Sequence, residues 1–487
     1  MIQTPKVDWL ALAPTLALLG ASGVALLGSV LVPRWFRRFF AALIAFAGFV
    51  TAGVFAAIVF DRTAEGRPLL AESFTRDRLG ALAALIVVGA GALTVLLAWG
   101  ENRRDHVGEY YALLAAAGAG MTFFLTASNL MTLFLGLEWF SIALYVLCAM
   151  DTHREASLES GLKYLIVGSF GSSILLFGSA LVYGATGEIG FSEIASARTI
   201  DDALLVAGLA MLIAGLGFKA SAAPFHMWTP DVYQGAPTSV TAFMAAATKV
   251  AALVLMLRLV VVAFPDQEDL WTVTIAVIAI VSLAVGNLAA LVQRDLKRLL
   301  AYSSVSHAGF MLIAIASNNE LGARALLYYL IPYGAMSIGS FAVVAARERE
   351  LQAPVTLDNL GGLGWERPFL GASMWVFMLG FMGMPFTGGL IGKFYVFSAA
   401  YEAGWWWLIV AGVIATAISL YYYLGVVRAL YLRPAAELRP AIAGGSPPRD
   451  PLLHLTVFLS VAVTIGSFFF VQPLIDVAKD AAASLPL

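Results

Sequence analysis

Glu138, Lys163, Lys219, Lys249 and Lys393 stand inside runs that are otherwise long and apolar enough to cross a bilayer. Ionisable groups in such runs hold charge, pair with one another or pass protons. Each lysine near a helix centre costs roughly 2.5 to 3.5 kcal/mol on insertion scales, so four together cost about 10 to 14 kcal/mol if nothing offsets them. A membrane chain carrying that cost is expected to move charge. Glu138 lies near the centre of its run, LFLGLEWFSIAL, and Lys219 well inside AGLGFKASAAPF. An opposite charge is the simplest way to keep either ionised there, so the two are expected to pair. At about 4 Å and an effective dielectric near 20 the attraction is on the order of 4 kcal/mol. Opening the pair would turn Lys219 from a proton holder into a proton donor; a static buried ion pair is the plainer alternative.

Lys249, in AAATKVAALVL, has no acid on its own helix, which suits a residue alternating between charged and neutral states. Lys163 lies nearer the start of its run and could instead snorkel to the interface. His307, in YSSVSHAGFML, falls near the centre of a later run, where a titratable ring among Ser303, Ser304 and Ser306 could relay protons through water. A satisfied structural histidine is the competing reading. His226, after Pro224, is a weaker candidate. Arg258 and Arg428 lie towards helix ends and read as interfacial anchors. Five histidines without HxxxH spacing offer no metal site, and the glycine-rich pieces lie within apolar runs, which makes them poor phosphate loops.

The elements that must position these groups are membrane helices. Of 487 residues, 60% are hydrophobic and 12% charged, with mean hydropathy +0.86, where a soluble domain has about 25% charged residues. The chain reads as an all-α polytopic membrane protein. A net charge of −2 with no basic stripe argues against nucleic acid. Cys148, the single cysteine, can give neither an internal disulfide nor an iron–sulfur ligand set. No cofactor site is expected in this chain. The first apolar run, 9–32, is longer than a signal-peptide core and reads as a retained helix.

A window of about 20 residues gives about fourteen spans. The fourth (110–128) and fifth (129–150) touch, and a hairpin turn at Ser128 and Asn129 separates them. The seventh (203–222) is interrupted at Gly215, Gly217 and Pro224, and the twelfth (369–398) at Gly383, Pro385, Gly388, Gly389 and Gly392. Both interruptions lie beside a lysine. Broken helices in corresponding places of two halves point to an inverted-repeat transporter with its site at mid-membrane. Packing contacts of small residues are the alternative. The expected organisation is 1–108 as three leading helices, 109–263 and 264–432 as two inverted five-helix repeats, and 433–487 as a loop and last helix (452–475). In this layout 15 Lys and Arg residues follow odd-numbered spans and 8 lie on the opposite face, so the positive-inside rule puts both termini outside the cytoplasm.

The stretch FKASAAPFHMWTPDVYQGAPTSVTAFMAAATK from Phe218 to Lys249 resembles the proton-translocating, antiporter-like membrane subunits of NADH–quinone oxidoreductase, respiratory complex I. So does QRDLKRLLAYSSVSHAGFML from Gln293 to Leu312. The resemblance extends over nearly the whole chain, and TPDVYQGAP and Lys393 are similar to the subunit N branch. It implies that Glu138, Lys219, Lys249 and Lys393 carry protons, with Lys163 and His307 as intermediate members of a polar axis. It also implies FMN, iron–sulfur clusters and quinone in other subunits, a neighbouring antiporter-like subunit M and small membrane subunits as partners, and a bacterial plasma (inner) membrane location. About a dozen residues follow the last span, so no long lateral helix like that of subunit L is expected. Phe386 and Ser239 stand where the family commonly has proline, which bears on the shape of two helix breaks.

Three readings therefore compete: a proton-translocating subunit of this oxidoreductase, a subunit of a multisubunit cation/proton antiporter or membrane-bound hydrogenase, and a membrane scaffold whose buried charges only fix helix register.

Overall fold

The computed structural model describes residues 7–70, 72–101, 106–432 and 450–487. Six basic residues used above for orientation, Lys6, Arg103, Arg104, Arg433, Arg439 and Arg449, lie outside the described residues, as does most of the connection opening the segment 433–487.

Polar residues at helix starts set the register of the bundle. Asp8 caps α1 (Trp9–Leu31), Asp77 caps α3 (Arg78–Ala98), and Asp201 caps α8 (Asp202–Lys219), each side chain accepting from backbone amides of the first turn. Between these come α2 (Arg34–Arg62), α4 (Val107–Leu125), α5 (Leu130–Cys148), α6 (Glu155–Thr186) and the short α7 (Phe191–Ser196). A two-stranded hairpin, Arg67–Leu69 with Phe74–Arg76, joins α2 to α3. The turn expected at Ser128 and Asn129 is present: α4 ends at Leu125, and Asn129 accepts from Thr132 N at 2.8 Å to start α5. Such a cap satisfies one of the four orphan amides of a helix start.

The second half continues with α9 (Trp228–Gly235), α10 (Thr238–Phe243), a π turn at Met244–Thr248 and α11 (Lys249–Ala263). Then follow α12 (Glu268–Leu291), α13 (Leu296–Ala316), α14 (Glu320–Leu351) and α15 (Leu363–Glu366). The chain ends with α16 (Pro368–Met382), α17 (Gly388–Glu402), α18 (Trp406–Leu432), α19 (Pro451–Phe469) and α20 (Val471–Ala482). Among the described residues, 12 helices are long and apolar enough to cross a membrane. The buried 19-residue α4 and the 15-residue pair α16 and α17 add to these; neither member of the pair is long enough to cross alone. The last span is shorter than expected: the chain turns at Phe470, and the amphipathic α20 folds back against α3 and α14.

Burial ranks the helices. The continuous run Thr238–Ala263, α13 and α14 are each 94% buried over their apolar windows, against 22% for α1 and 33% for α2, α18 and α19. These three runs, buried on nearly every side, form the centre of the bundle. The outer ones turn large side chains such as Leu27, Ile166 and Phe170 outward, as lipid requires.

Candidate functional site

Lys219 is the last residue of α8, where a cation meets the negative end of the helix dipole. Helix geometry is lost over 220–227, Ser221 takes a positive φ of 62°, and α9 resumes at Trp228. The break comes later than the glycines suggested. Gly215 lies within α8, where an added Cβ would meet Leu175 of α6 at 2.6 Å, so it serves close packing. Lys219 is 1% exposed, and its Nζ stands 5.1 to 5.7 Å from the ring centres of Tyr164, Tyr145, Phe218 and Phe140. Ring faces at such distances attract a desolvated cation. Trp228 holds the break together, stacking on Tyr164 at 4.5 Å and donating from Nε1 to the Phe218 carbonyl at 3.0 Å.

Glu138 and Lys219 form no ion pair in this structure. Glu138 Oε1 and Lys219 Nζ are both buried without a hydrogen-bond partner among the described residues. Phe140 and Tyr145 of α5 stand against Lys219 instead, and Glu138, seven residues before Tyr145 and so on the same side of α5, acts on Lys219 through its charge without a hydrogen bond. The aromatic rings occupy the place of the expected contact.

Lys249 begins α11 directly after the π turn, is fully buried, and has no hydrogen-bond partner among the described residues. π turns inside α-helices are frequent at functional sites. Nothing in MAAAT announces one, since it contains neither glycine nor proline. Lys393 is 4% exposed on α17 and reaches back across the 383–387 break to the end of α16. Its Nζ donates to the carbonyls of Phe381 at 3.0 Å and Met382 at 3.1 Å, groups that the interruption leaves without helical partners, and lies 4.6 Å from the Phe310 ring centre. Gly383 (φ 80°) and Phe386 (φ 68°) turn the chain there.

His307, on α13, is buried, and its ring bonds to tyrosines, not directly to the neighbouring serines: Nδ1 with the Tyr329 hydroxyl at 2.8 Å and Nε2 with the Tyr423 hydroxyl at 3.1 Å. Tyr423 in turn bonds Ser303, Ser304 bonds Tyr333, and Ser306 takes a bond from Asn287. The Phe381 ring touches His307 and stacks on Tyr423, so the residue whose carbonyl holds Lys393 also packs on the histidine. These tyrosines come from α14 and α18, far from His307 in sequence.

Two expectations change. Lys163 is not in the buried axis: its side chain is 44% exposed and pairs with Glu159 at 2.6 Å and Asp231 at 3.1 Å, the setting of a snorkelling lysine. Asp231 also pairs with Arg298 at 2.5 Å. Arg258 is no interfacial anchor: it is buried and bonded through both terminal nitrogens to Asp77, 181 residues away, at 2.6 and 3.0 Å. His226 is partly buried, and its Nδ1 has no hydrogen-bond partner among the described residues. Among the described residues no group of three or more His, Cys, Asp or Glu could hold a metal ion.

Interrupted helices bringing lysines into the buried centre of a helical membrane bundle are the features of an antiporter-like membrane subunit. Residues 127–419 match the family described as NADH:quinone oxidoreductase/Mrp antiporter, TM. The chain belongs to the NADH-quinone oxidoreductase subunit N family. It is 39% identical over 443 residues to subunit N of Trichlorobacter lovleyi, covering 90% of each chain, and 35% identical over 493 residues to subunit N 2 of Roseiflexus castenholzii, covering 98% and 97%. A chain of respiratory complex I from Thermus thermophilus superposes with TM-score 0.81 at 31% identity, over 96% of this chain and 99% of that one. A chain of the Mrp complex from Dietzia sp. shares the fold at TM-score 0.84 and 22% identity, covering 98% and 97%.

Proposed function

We propose that this chain translocates protons as a membrane subunit of an NADH–quinone oxidoreductase, along Glu138, Lys219, Lys249, His307 and Lys393, while FMN, iron–sulfur clusters and quinone act in other subunits. One observation carries the reading: each of three buried ammonium groups stands at an interruption of its helix. Lys219 ends α8, Lys249 follows the π turn, and Lys393 sits on carbonyls freed by the 383–387 break. A scaffold has no need to spend helix hydrogen bonds at each buried charge. A proton carrier does, because irregular backbone can admit water or offer acceptors to a group that changes charge, as the two carbonyls do for Lys393.

In this reading Lys219 holds its proton in the aromatic cage and yields it when the field of Glu138 weakens. Lys249 passes it towards His307, whose two tyrosine bonds lead to the Phe381 and Lys393 corner. The repeats 109–263 and 264–432 are inverted, so the Lys219 half opens to the cytoplasm and the Lys393 half to the far side or the next subunit. Subunit M and small membrane subunits supply the neighbours, against the outward face that Leu135 and Ile142 of α5 present. The setting is a bacterial plasma membrane with both termini outside the cytoplasm.

Replacing Glu138 by Gln tests the proposal. The complex should assemble, with proton transfer and the coupled electron transfer both reduced. A normal proton-to-electron ratio in that variant would overturn it.

A further inference from the structure

A second group of buried charges lies outside the axis just described, where α13 and α14 meet the junction of α9 and α10. Lys297, in the first turn of α13, is 2% exposed. Its Nζ donates to the Ala236 carbonyl at 2.7 Å and to Thr238 Oγ1 at 3.1 Å, while the nearest carboxylate oxygen, Glu348 Oε1, stands off at 3.8 Å. Thr238 Oγ1 itself donates to Glu348 Oε2. Ammonium, hydroxyl and carboxylate are therefore joined by two hydrogen bonds pointing the same way. A static salt bridge would set the ammonium directly on the carboxylate, at roughly 2.7 to 2.9 Å.

We propose that Lys297, Thr238 and Glu348 form a proton-exchange port between the aqueous phase and the central helix that carries Lys249; it rests on the translocation reading above. Glu348 is 18% exposed and so reaches solvent, whereas Lys297 does not. In the transfer step Lys297 gives its proton to the Thr238 oxygen as the Thr238 hydroxyl proton passes to Glu348. The N–H and O–H bonds break as new O–H bonds form, leaving a neutral amine, an intact hydroxyl and a carboxylic acid that exchanges with water. Running backwards, water protonates Glu348 and the port reloads Lys297. No oxidant or further reactant is needed.

The surroundings fit an exchanging site. Thr238 opens the continuous helical run to Ala263, and Lys249 follows it by 11 residues, about 16 Å at helical rise. Glu101 accepts from the Ser239 amide at 3.2 Å, a donor that proline at this position would lack, and Tyr110 donates to Ser239 Oγ at 2.8 Å. Arg154, Asp295 and Glu101 also act electrostatically on Lys297, so its ammonium answers to several neighbours besides Glu348.

The test is Thr238→Val in the intact complex in sealed vesicles, which keeps both charges and the side-chain shape. Proton translocation per electron should fall, with its rate lowered by at least about tenfold, and Thr238→Ser should restore it. Glu348→Gln, which keeps an acceptor for the threonine but cannot exchange a proton as a carboxyl, should flatten the acid limb of the pH profile. Wild-type pumping and pH profile in both Thr238→Val and Glu348→Gln would overturn the port. If Thr238→Val fails to assemble, the Glu348→Gln profile alone decides. Should the port variants pump normally while Glu138→Gln does not, only the port fails; normal pumping in Glu138→Gln as well removes the underlying reading.

Discussion

Lys219, Lys249 and Lys393 meet three different surroundings, and each surrounding limits what its ammonium can do. Lys219 has ring faces, which attract a cation but accept hydrogen bonds poorly. Lys393 has two carbonyls, which accept bonds from the charged form. Lys249 has no hydrogen-bond partner among the described residues, so nothing in its fixed surroundings favours a permanent charge. It is therefore expected to act by losing its proton. Lys249→Arg, which keeps the charge but cannot readily deprotonate, should impair pumping nearly as much as Lys249→Ala. Proton-to-electron ratios in vesicles read this directly, and full pumping with arginine would point to a fixed electrostatic role.

Among the elements, the break at 383–387 makes the sharpest demand. Gly383 holds φ 80°, and an added Cβ would stand 3.0 Å from Lys393 Cδ. Gly383→Ala should therefore cost about 1 to 2 kcal/mol in left-handed strain and push the ammonium off its carbonyls. A lower melting temperature together with a reduced pumping ratio is expected; no change in either would show that the turn does not position Lys393. This break was legible in the sequence because glycine and proline mark it, and the α4–α5 turn because Asn129 is a good cap. The π turn before Lys249 was not legible, since MAAAT is ordinary helical sequence and the irregularity comes from packing. Arg258 was misplaced because its partner Asp77 belongs to another helix, and the bond between them has no local signal. Lys163 looked buried because its run is apolar, but it faces outward from α6. The cage of Lys219 and the tyrosines of His307 likewise exist only once distant helices meet.

At the scale of the whole molecule, a wall of exposed apolar side chains surrounds a buried, lysine-bearing centre, and the proposed function puts other subunits against part of that wall. Mild solubilisation should recover this chain with flavin and iron–sulfur polypeptides, and a cross-linker placed at Leu135 or Ile142 should reach a neighbouring membrane subunit. Recovery with cation-antiporter subunits and no flavin would favour the antiporter reading. The burial contrast between the wall and the centre has a consequence for how the sequence can change. Lipid accepts any apolar shape, so positions such as Leu27 and Ile166 should tolerate Val, Leu, Ile or Phe with little penalty. Leu253 and Met311, packed on every side, should not: a large-to-small change there leaves a void costing about 2 to 5 kcal/mol. Sequence drift should therefore concentrate at the rim, leaving the three central helices as the part of the chain least free to vary.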